Sequence, residues 1–393
     1  MIKSSGLLIA SVDVESEGSK KKTNSTLPAW AFNVLALILV ISSFFLYQGY
    51  SYGQQAVSYI HRQDIVKAKQ AFEKASKYDP FTSSFKADLA QLEEVIGNQT
   101  ENEAMIEKGQ EYRLAAIELD PYNAKLQTQL AKAYLAKGEL EEGLKALEKA
   151  TELNPHNISL WEDLADACEK VAEVYIRQDK RDEALRAIDK SQGIFNKIAQ
   201  LNLKTPKDAR QKLEISNDLM LYVYKAKLLA ENIDDKDYYK KLDHLVFVSD
   251  LTLDTDHNGV PDLWNTLNSR QGYIKTDVTK EYTVITNEGE GISYLLTKQD
   301  FSLEPETSYT IKMLASGDIP KDKLVFNIYS REGKSPQYQW KDIELSPDMS
   351  NIATSFTTSE DLVEGKQWLR MHISPVPEKH INIKTIEIWE AEF

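Results

Sequence analysis

Cysteine occurs once in 393 residues, at Cys168, so no intramolecular disulfide can form and no cysteine cage can hold zinc. Six scattered histidines leave no constellation for a transition-metal site. Positive charge is in short supply too: 47 Lys and Arg stand against 61 Asp and Glu, a net charge of -14. A chain of that sign is repelled by a phosphate backbone, and no nucleic-acid partner is expected. The G-x-S-x-G elbow, the P-loop, the H-E-x-x-H pair and the dinucleotide fingerprint are all missing. Acidic pairs such as Glu141 and Glu142 have the character of solvated helix starts favoured by the helix dipole. No enzyme activity, no catalytic residue and no organic cofactor is therefore expected. Apolar mass is present: the chain is 42% hydrophobic and 9% aromatic, enough for packed cores, and its length implies several domains.

Long apolar runs are also scarce. The one that stands out, at 27–47, reads LPAWAFNVLALILVISSFFLY and carries no charge; about twenty residues suffice to cross roughly 30 Å of hydrocarbon. Aromatic residues gather at both ends, Trp30 and Phe32 at one and Phe44, Phe45, Tyr47, Tyr50 and Tyr52 at the other, as interfacial side chains do. Lys20, Lys21 and Lys22 precede it, and Arg62 is the first lysine or arginine after it. The positive-inside rule then puts a disordered tail, 1–26, in the cytoplasm, a transmembrane helix at 27–48, and everything after it outside. A cleaved signal peptide would have a shorter leader and a small-x-small site before the folded part.

The strings KYDP, ELDP and ELNP place Pro80, Pro121 and Pro155, the last two 34 residues apart, which is the period of a helix-pair repeat. Before Pro155 stand Leu130, Ala131, Tyr134, Gly143, Leu147 and Ala150; before Pro80 stand Tyr52, Ala56, Tyr59, Ala68, Phe72 and Ala75. Small residues let the two helices of a unit approach, large ones fill the groove between units, and proline ends the second helix. These positions resemble the tetratricopeptide repeat family, which implies a curved α-helical solenoid whose groove holds a peptide or partner domain. A plain spacer would use the same scaffold. The second unit, 83–121, carries an insertion near 97–101 that is expected to lengthen its inter-helix turn. The fourth starts at Ile158 with Trp161, Leu164, Ala165 and Cys168, then runs long before Ala184, Ile188 and Ser191. Helical periodicity at 208–231 and 236–246 has no closing proline and reads as a capping pair, so the array is expected over 50–248.

The loop expected at 250–266 carries Asp254, Asp256, Asn258, Val260 and Asp262, with Gly259 where the backbone must turn. Alternating oxygen donors wrap a hard cation, and the ligand set would be the three aspartates, Asn258 and the carbonyl of Val260. An EF-hand would have glutamate where Asn265 stands. The segment instead resembles the shorter D-x-D-x-N-G-x-P-D-x-W calcium loop of thrombospondin type 3 and related extracellular repeats, and calcium is the expected cofactor. The same residues also form Asx turns without an ion. His257 reads as a spacer facing solvent.

Beyond Gln271 the chain breaks into alternating runs, YTVIT, GISYLL, YTIKMLA, LVFNIYS, YQWKDIEL, SFTT, WLRMHIS and IKTIEIWEAEF. About eight strands at this spacing predict an all-β sandwich over 267–393. The acidic loop, the strand entry LEPETSYTIKMLAS and the final IKTIEIWEAE resemble extracellular carbohydrate-binding modules of the jelly-roll type. A sugar would stack on flat exposed aromatics, for which Tyr338, Trp340 and Trp368 are the candidates. Tyr338 and Trp340 share a face in a period-two strand, so at least one of them can be core. Trp264 and Trp389 read as packing under the sandwich.

Taken whole, the chain reads as multidomain: a single transmembrane helix, a helical repeat solenoid, then a jelly roll. A membrane span with a short basic lead, followed by repeats opening at Tyr52, Ala56 and Tyr59, resembles the C-terminal portion of bacterial O-antigen ligase and polymerase family proteins. In that family a multi-span glycan-transferring region precedes such a tail, and those catalytic spans are missing here. The resemblance implies an anchored extracytoplasmic adaptor of cell-envelope polysaccharide assembly, with a protein or peptide in the groove, a surface polysaccharide on the sandwich and the bilayer around the span. The alternative it leaves open is a degenerate or split part of such a transferase.

Overall fold

The computed structural model describes residues 29–206, 212–330, 335–362 and 366–391. The tail expected at 1–26 lies outside them. Two compact units are formed, Met1–Leu89 and Ala90–Phe393.

In the first unit α1 runs unbroken over Ala29–His61. The apolar span and the first repeat helix, which the sequence divides at 48–50, are thus one helix. It is long and apolar enough to cross a membrane, and Leu35, Leu37, Ile38, Leu39 and Val40 are exposed along it. Its C-terminal half packs on α2, Ile65–Tyr78, and Tyr52 stacks on Tyr78 with ring centroids 5.5 Å apart. Two glycines inside α1 are explained by this approach: a Cβ on Gly49 would lie 2.6 Å from Asp79 Cβ, and one on Gly53 would lie 2.7 Å from Phe85 Cε1. Helix α2 starts where Asp64 accepts a hydrogen bond from the Lys67 backbone N–H at 3.1 Å, a standard N-cap. It buries Ala68, Phe72 and Ala75.

Helices α3 (Ser83–Gln99), α4 (Glu103–Leu119), α5 (Ala124–Ala136), α6 (Leu140–Leu153), α7 (Ile158–Arg177), α8 (Arg181–Lys204), α9 (Asn217–Glu231) and the single turn α10 (Tyr238–Leu242) follow. The insertion near 97–101 lengthens α3 to 17 residues and leaves only a short turn before α4. This differs from the lengthened turn expected, because residues 97–99 continue the helical hydrogen-bond ladder. In α5 and α6 the consensus residues do what their sizes require. Ala131 and Ala150 are fully buried, and a Cβ on Gly143 would meet Leu135 Cδ2 at 2.6 Å. Helix α9 begins at Asn217, with Ser216 Oγ accepting from Leu219 N at 3.1 Å. The helix expected from 208 therefore starts nine residues later, with 207–211 outside the described residues.

Strand β1 spans Leu245–Asp250, inside the stretch expected to be helical up to 248. Its burial pattern is nearly continuous, and a short apolar run of that kind has no period by which to tell strand from helix. The other strands are β2 (Trp264–Asn268), β3 (Ile274–Val278), β4 (Thr283–Asn287), β5 (Ser293–Thr297), β6 (Ser308–Gly317), β7 (Leu324–Ser330), β8 (Pro336–Trp340), β9 (Ser350–Thr357), β10 (Gln367–Ile373) and β11 (Ile381–Glu390). One antiparallel sheet has the order β3-β4-β11-β6-β9, with β1 also on β11; the other has the order β2-β5-β10-β7-β8. From β4 onward the chain changes sheet at every connection except the β7–β8 hairpin, the jelly-roll pattern. Trp264, Tyr309, Phe247 and Phe326 fill the space between the sheets.

Within the second unit the helices and the sandwich share one core. Helix α9 packs on β1 and β11. Tyr224 Oη donates to Glu387 Oε1 at 2.7 Å, and the Asn217 side chain donates to the Asp300 carbonyl at 2.9 Å. Asn202 of α8, 2% exposed, donates to the carbonyls of Leu213 at 2.9 Å and Thr255 at 3.1 Å and accepts from Leu213 N–H at 2.8 Å.

Candidate functional site

Three places among the described residues are suited to hold something else, and the first is the acidic loop between β1 and β2. Asp254, Asp256 and Asp262 converge so that a carboxylate oxygen from each lies within 4.8 Å of the others. The turn is made by Gly259 at φ +81° and His257 at +56°. Asp254 accepts from Asn258 N–H at 3.0 Å and Gly259 N–H at 2.9 Å, and buried Asp262 accepts from Thr255 N–H at 3.1 Å. Burial pushes the Asp262 carboxyl up to about 6 and raises that of Asp254 as well. Asn258 is placed differently from the ligand set: its amide oxygen accepts from Val260 N–H at 2.7 Å and its nitrogen donates to Asp256 Oδ2 at 2.7 Å. Val260 is half-buried against the core. Three hard oxygen donors held together at a cost in desolvation suit a divalent cation of the calcium type, which would offset both burial and mutual repulsion. Lys212 holds this loop from the helical side through the Asp256 carbonyl.

The second place is the outer face of the five-stranded sheet. Along β10, Leu369, Met371 and Ile373 point into the sandwich while Trp368, Arg370 and His372 are half-buried on the other side. Register brings Tyr329 of β7 opposite Trp368, and Tyr294 of β5 opposite His372. Trp368 and Tyr329 stack with centroids 4.7 Å apart and planes 17° apart. The Arg370 guanidinium lies 3.9 Å from the centre of the Tyr294 ring and 5.7 Å from that of Tyr329. Arg370 Nε and His372 Nε2 are buried with no hydrogen-bond partner among the described residues. Burial and the neighbouring Arg370 hold the His372 imidazole down to about 4, so it is neutral at neutral pH.

Of the three aromatics the sequence offers, Trp368 alone is on this face. Trp340 pairs with Phe326 and Tyr338 with Ile328, both of which point inward, and Tyr338 stacks on Phe356 of the opposite sheet at 4.5 Å. Their place is at the edge of the core. Tyr294, Tyr329, Arg370 and His372 were not singled out from the sequence. The alternation in WLRMHI already puts Trp368, Arg370 and His372 on one side.

The third place is a groove between α5, α6 and α7, a cavity of about 350 Å³ lined by Leu135, Leu140, Leu147 and Val171, with Lys132 and Asp166 among its charged residues. An apolar floor with a charged rim is suited to an amphipathic peptide.

Comparison with known proteins agrees with the helical part of this description. Residues 124–167, which are α5, α6 and the first half of α7, match the tetratricopeptide repeat family, a fold used as a protein-interaction scaffold. No curated protein matches the sequence. Among solved structures, the chain is similar to the first tetratricopeptide domain of Spaghetti (RPAP3) bound to an HSP90 peptide, at 18% identity over 32% of this chain and 95% of that one, TM-score 0.28. It is similar to the MamA protein at 19% identity over 49% of this chain and 93% of that one, TM-score 0.30. It is also similar to a CBM4 structure at 14% identity over 36% of this chain and 94% of that one, TM-score 0.30.

Proposed function

We propose that this chain is a membrane-anchored extracytoplasmic scaffold of bacterial cell-envelope polysaccharide assembly, in which the repeats hold a protein partner and the sandwich holds glycan. The observation that carries the reading is the groove along α5, α6 and α7, whose leucine and valine floor is left open between repeat helices. Exposed apolar residues along α1 support the anchor, since such a surface in water would be costly and in lipid is not. The lysines at 20–22 support a cytoplasmic N-terminus. The likeness of span and repeats to the tail of O-antigen ligase and polymerase proteins is what points to envelope glycan as the setting. Calcium in the acidic loop would clamp the sandwich's first turn beside α8, with Asp254, Asp256 and Asp262 holding the ion.

Photocross-linking from a reactive side chain introduced at Leu135, in native membranes, is the test. A discrete partner adduct that is lost when Leu140→Glu is added supports the reading, and no adduct from position 135 or 171 removes it. Protease added to spheroplasts should digest the sandwich; full protection would reverse the orientation.

A further inference from the structure

We infer that the outer face of the five-stranded sheet binds an anionic polysaccharide, with Arg370 taking the carboxylate of an acidic sugar. The inference rests on the reading of the sandwich as a glycan-binding module and names the class of glycan.

Arg370 is the reason for the sign. Arg370 has no carboxylate within ion-pair distance among the described residues, and its contacts are the rings of Tyr294 and Tyr329. Two aromatic neighbours fix the plane of the guanidinium, so that little side-chain freedom remains to be lost on binding. Its Nε is shielded from water and unpartnered, and that loss of hydration has no compensation within the described protein. A carboxylate therefore meets the half-buried side chain at the terminal nitrogens of its fork, two oxygens matching two parallel N–H donors.

The rest of the face selects a sugar over other carboxylates. Two residues along a strand span about 7 Å, so Trp368 and Arg370 are set apart by about the width of one sugar ring. Trp368 and Tyr329 provide flat apolar surface at one end, and the half-buried His372 ring, edge-on to Tyr294 with centroids 4.9 Å apart, closes the other. On the edge strand β8 the exposed Gln339 donates to Oδ1 of the buried Asn327 of β7 at 2.8 Å, placing its amide at the side of the rings. Flat rings alternating with amide and guanidinium groups fit a pyranose polymer, which alternates apolar ring faces with hydroxyls and carboxylates.

The full chain in detergent is run by affinity electrophoresis through gels containing hyaluronate, hydroxyethyl cellulose or polyglutamate. Hyaluronate is expected to bind about tenfold or more tightly than the neutral polymer, in line with a charge-assisted pair, and to lose that advantage at high salt. Arg370→Gln should equalise the two polymers, Arg370→Lys, which keeps the charge and loses the fork, should fall between, and Trp368→Ala should weaken both. Thermal melts verify that each variant folds, and Arg370→Lys decides the matter if Arg370→Gln does not. Equal binding of both sugars, unchanged by Arg370→Gln, overturns the anionic specificity and leaves the glycan reading standing. Binding of neither overturns both. Polyglutamate held as tightly as hyaluronate gives the face to an acidic peptide and overturns the inference.

Discussion

Replacing Asn202 with leucine keeps the approximate volume of the side chain and removes the three hydrogen bonds by which this side chain holds Leu213 and Thr255. Asn202 is 2% exposed, Leu213 4% and Thr255 3%, so water cannot easily replace the lost amide. The substitution strands the Leu213 N–H, the Leu213 carbonyl and the Thr255 carbonyl, bonded in the native chain at 2.8, 2.9 and 3.1 Å. A buried polar group left unpaired costs about 1–3 kcal/mol. Three of them, less about 1–2 kcal/mol regained by burying apolar surface, give a net loss of about 4–5 kcal/mol at mid-range. Against a typical stability of about 5–15 kcal/mol this is readily measured. Urea unfolding of the full chain in detergent, followed by fluorescence of buried tryptophans such as Trp161 and Trp264, is the assay. Gln200→Leu, at an exposed position one turn-half earlier on α8, is the control and should stay within about 0.5 kcal/mol. A loss below about 1 kcal/mol for Asn202→Leu would show that the loop and the 212–216 segment are not held by this amide.

Burial raises the Glu169 carboxyl from 4.5 to about 7 despite the nearby Lys225, so the folded chain keeps a proton that the unfolded chain releases. That contribution is complete below pH 4.5 and is lost as pH rises through about 7, to an upper bound of about 3 kcal/mol; Glu169→Gln should flatten the slope of stability in this window, and an unchanged slope would count against it. Calcium should raise the thermal midpoint of the full chain, and Asp256→Ala should cancel the rise; no rise at millimolar calcium would leave the loop as an Asx turn. Tyr224→Phe removes the hydrogen bond to Glu387 and should cost about 1.5–3 kcal/mol, the range for a bond to a charged group, with faster proteolysis between α9 and the sandwich; wild-type resistance would mean that apolar packing alone holds the joint.

Patterns that are local and periodic are legible in the sequence alone. The apolar run of α1, the small and large positions of α5 and α6, and the alternation of β4 to β11 each follow from the geometry of a single element. The acidic loop was legible too, because its aspartates lie within nine residues. The continuity of α1 through Gly49 and Gly53 was not, since two glycines look like a break until Asp79 and Phe85 are seen pressed against them. Strand β1 was hidden because helix α9 covers one side and the sandwich the other, so its sequence has no polar face to reveal a period. Strands β2 and β3 are short, and β2 is largely exposed, leaving little alternation to detect.

The sequence by itself thus determined the helical repeats, the strands from β4 to β11, and that the chain carries an apolar span and a cluster of hard oxygen donors. Only the tertiary structure decided which side of each strand is inside. A period of two separates side chains into two sets without saying which set faces the core; that choice needs the partner strand and the opposing sheet. Phe326 and Ile328 draw Trp340 and Tyr338 inward, and the pairing of β5, β10 and β7 gathers Tyr294, Arg370, Trp368 and Tyr329 on the outer face. Those residues are up to seventy-six positions apart, from 294 to 370, and it is hydrogen-bond register, not sequence proximity, that makes them neighbours.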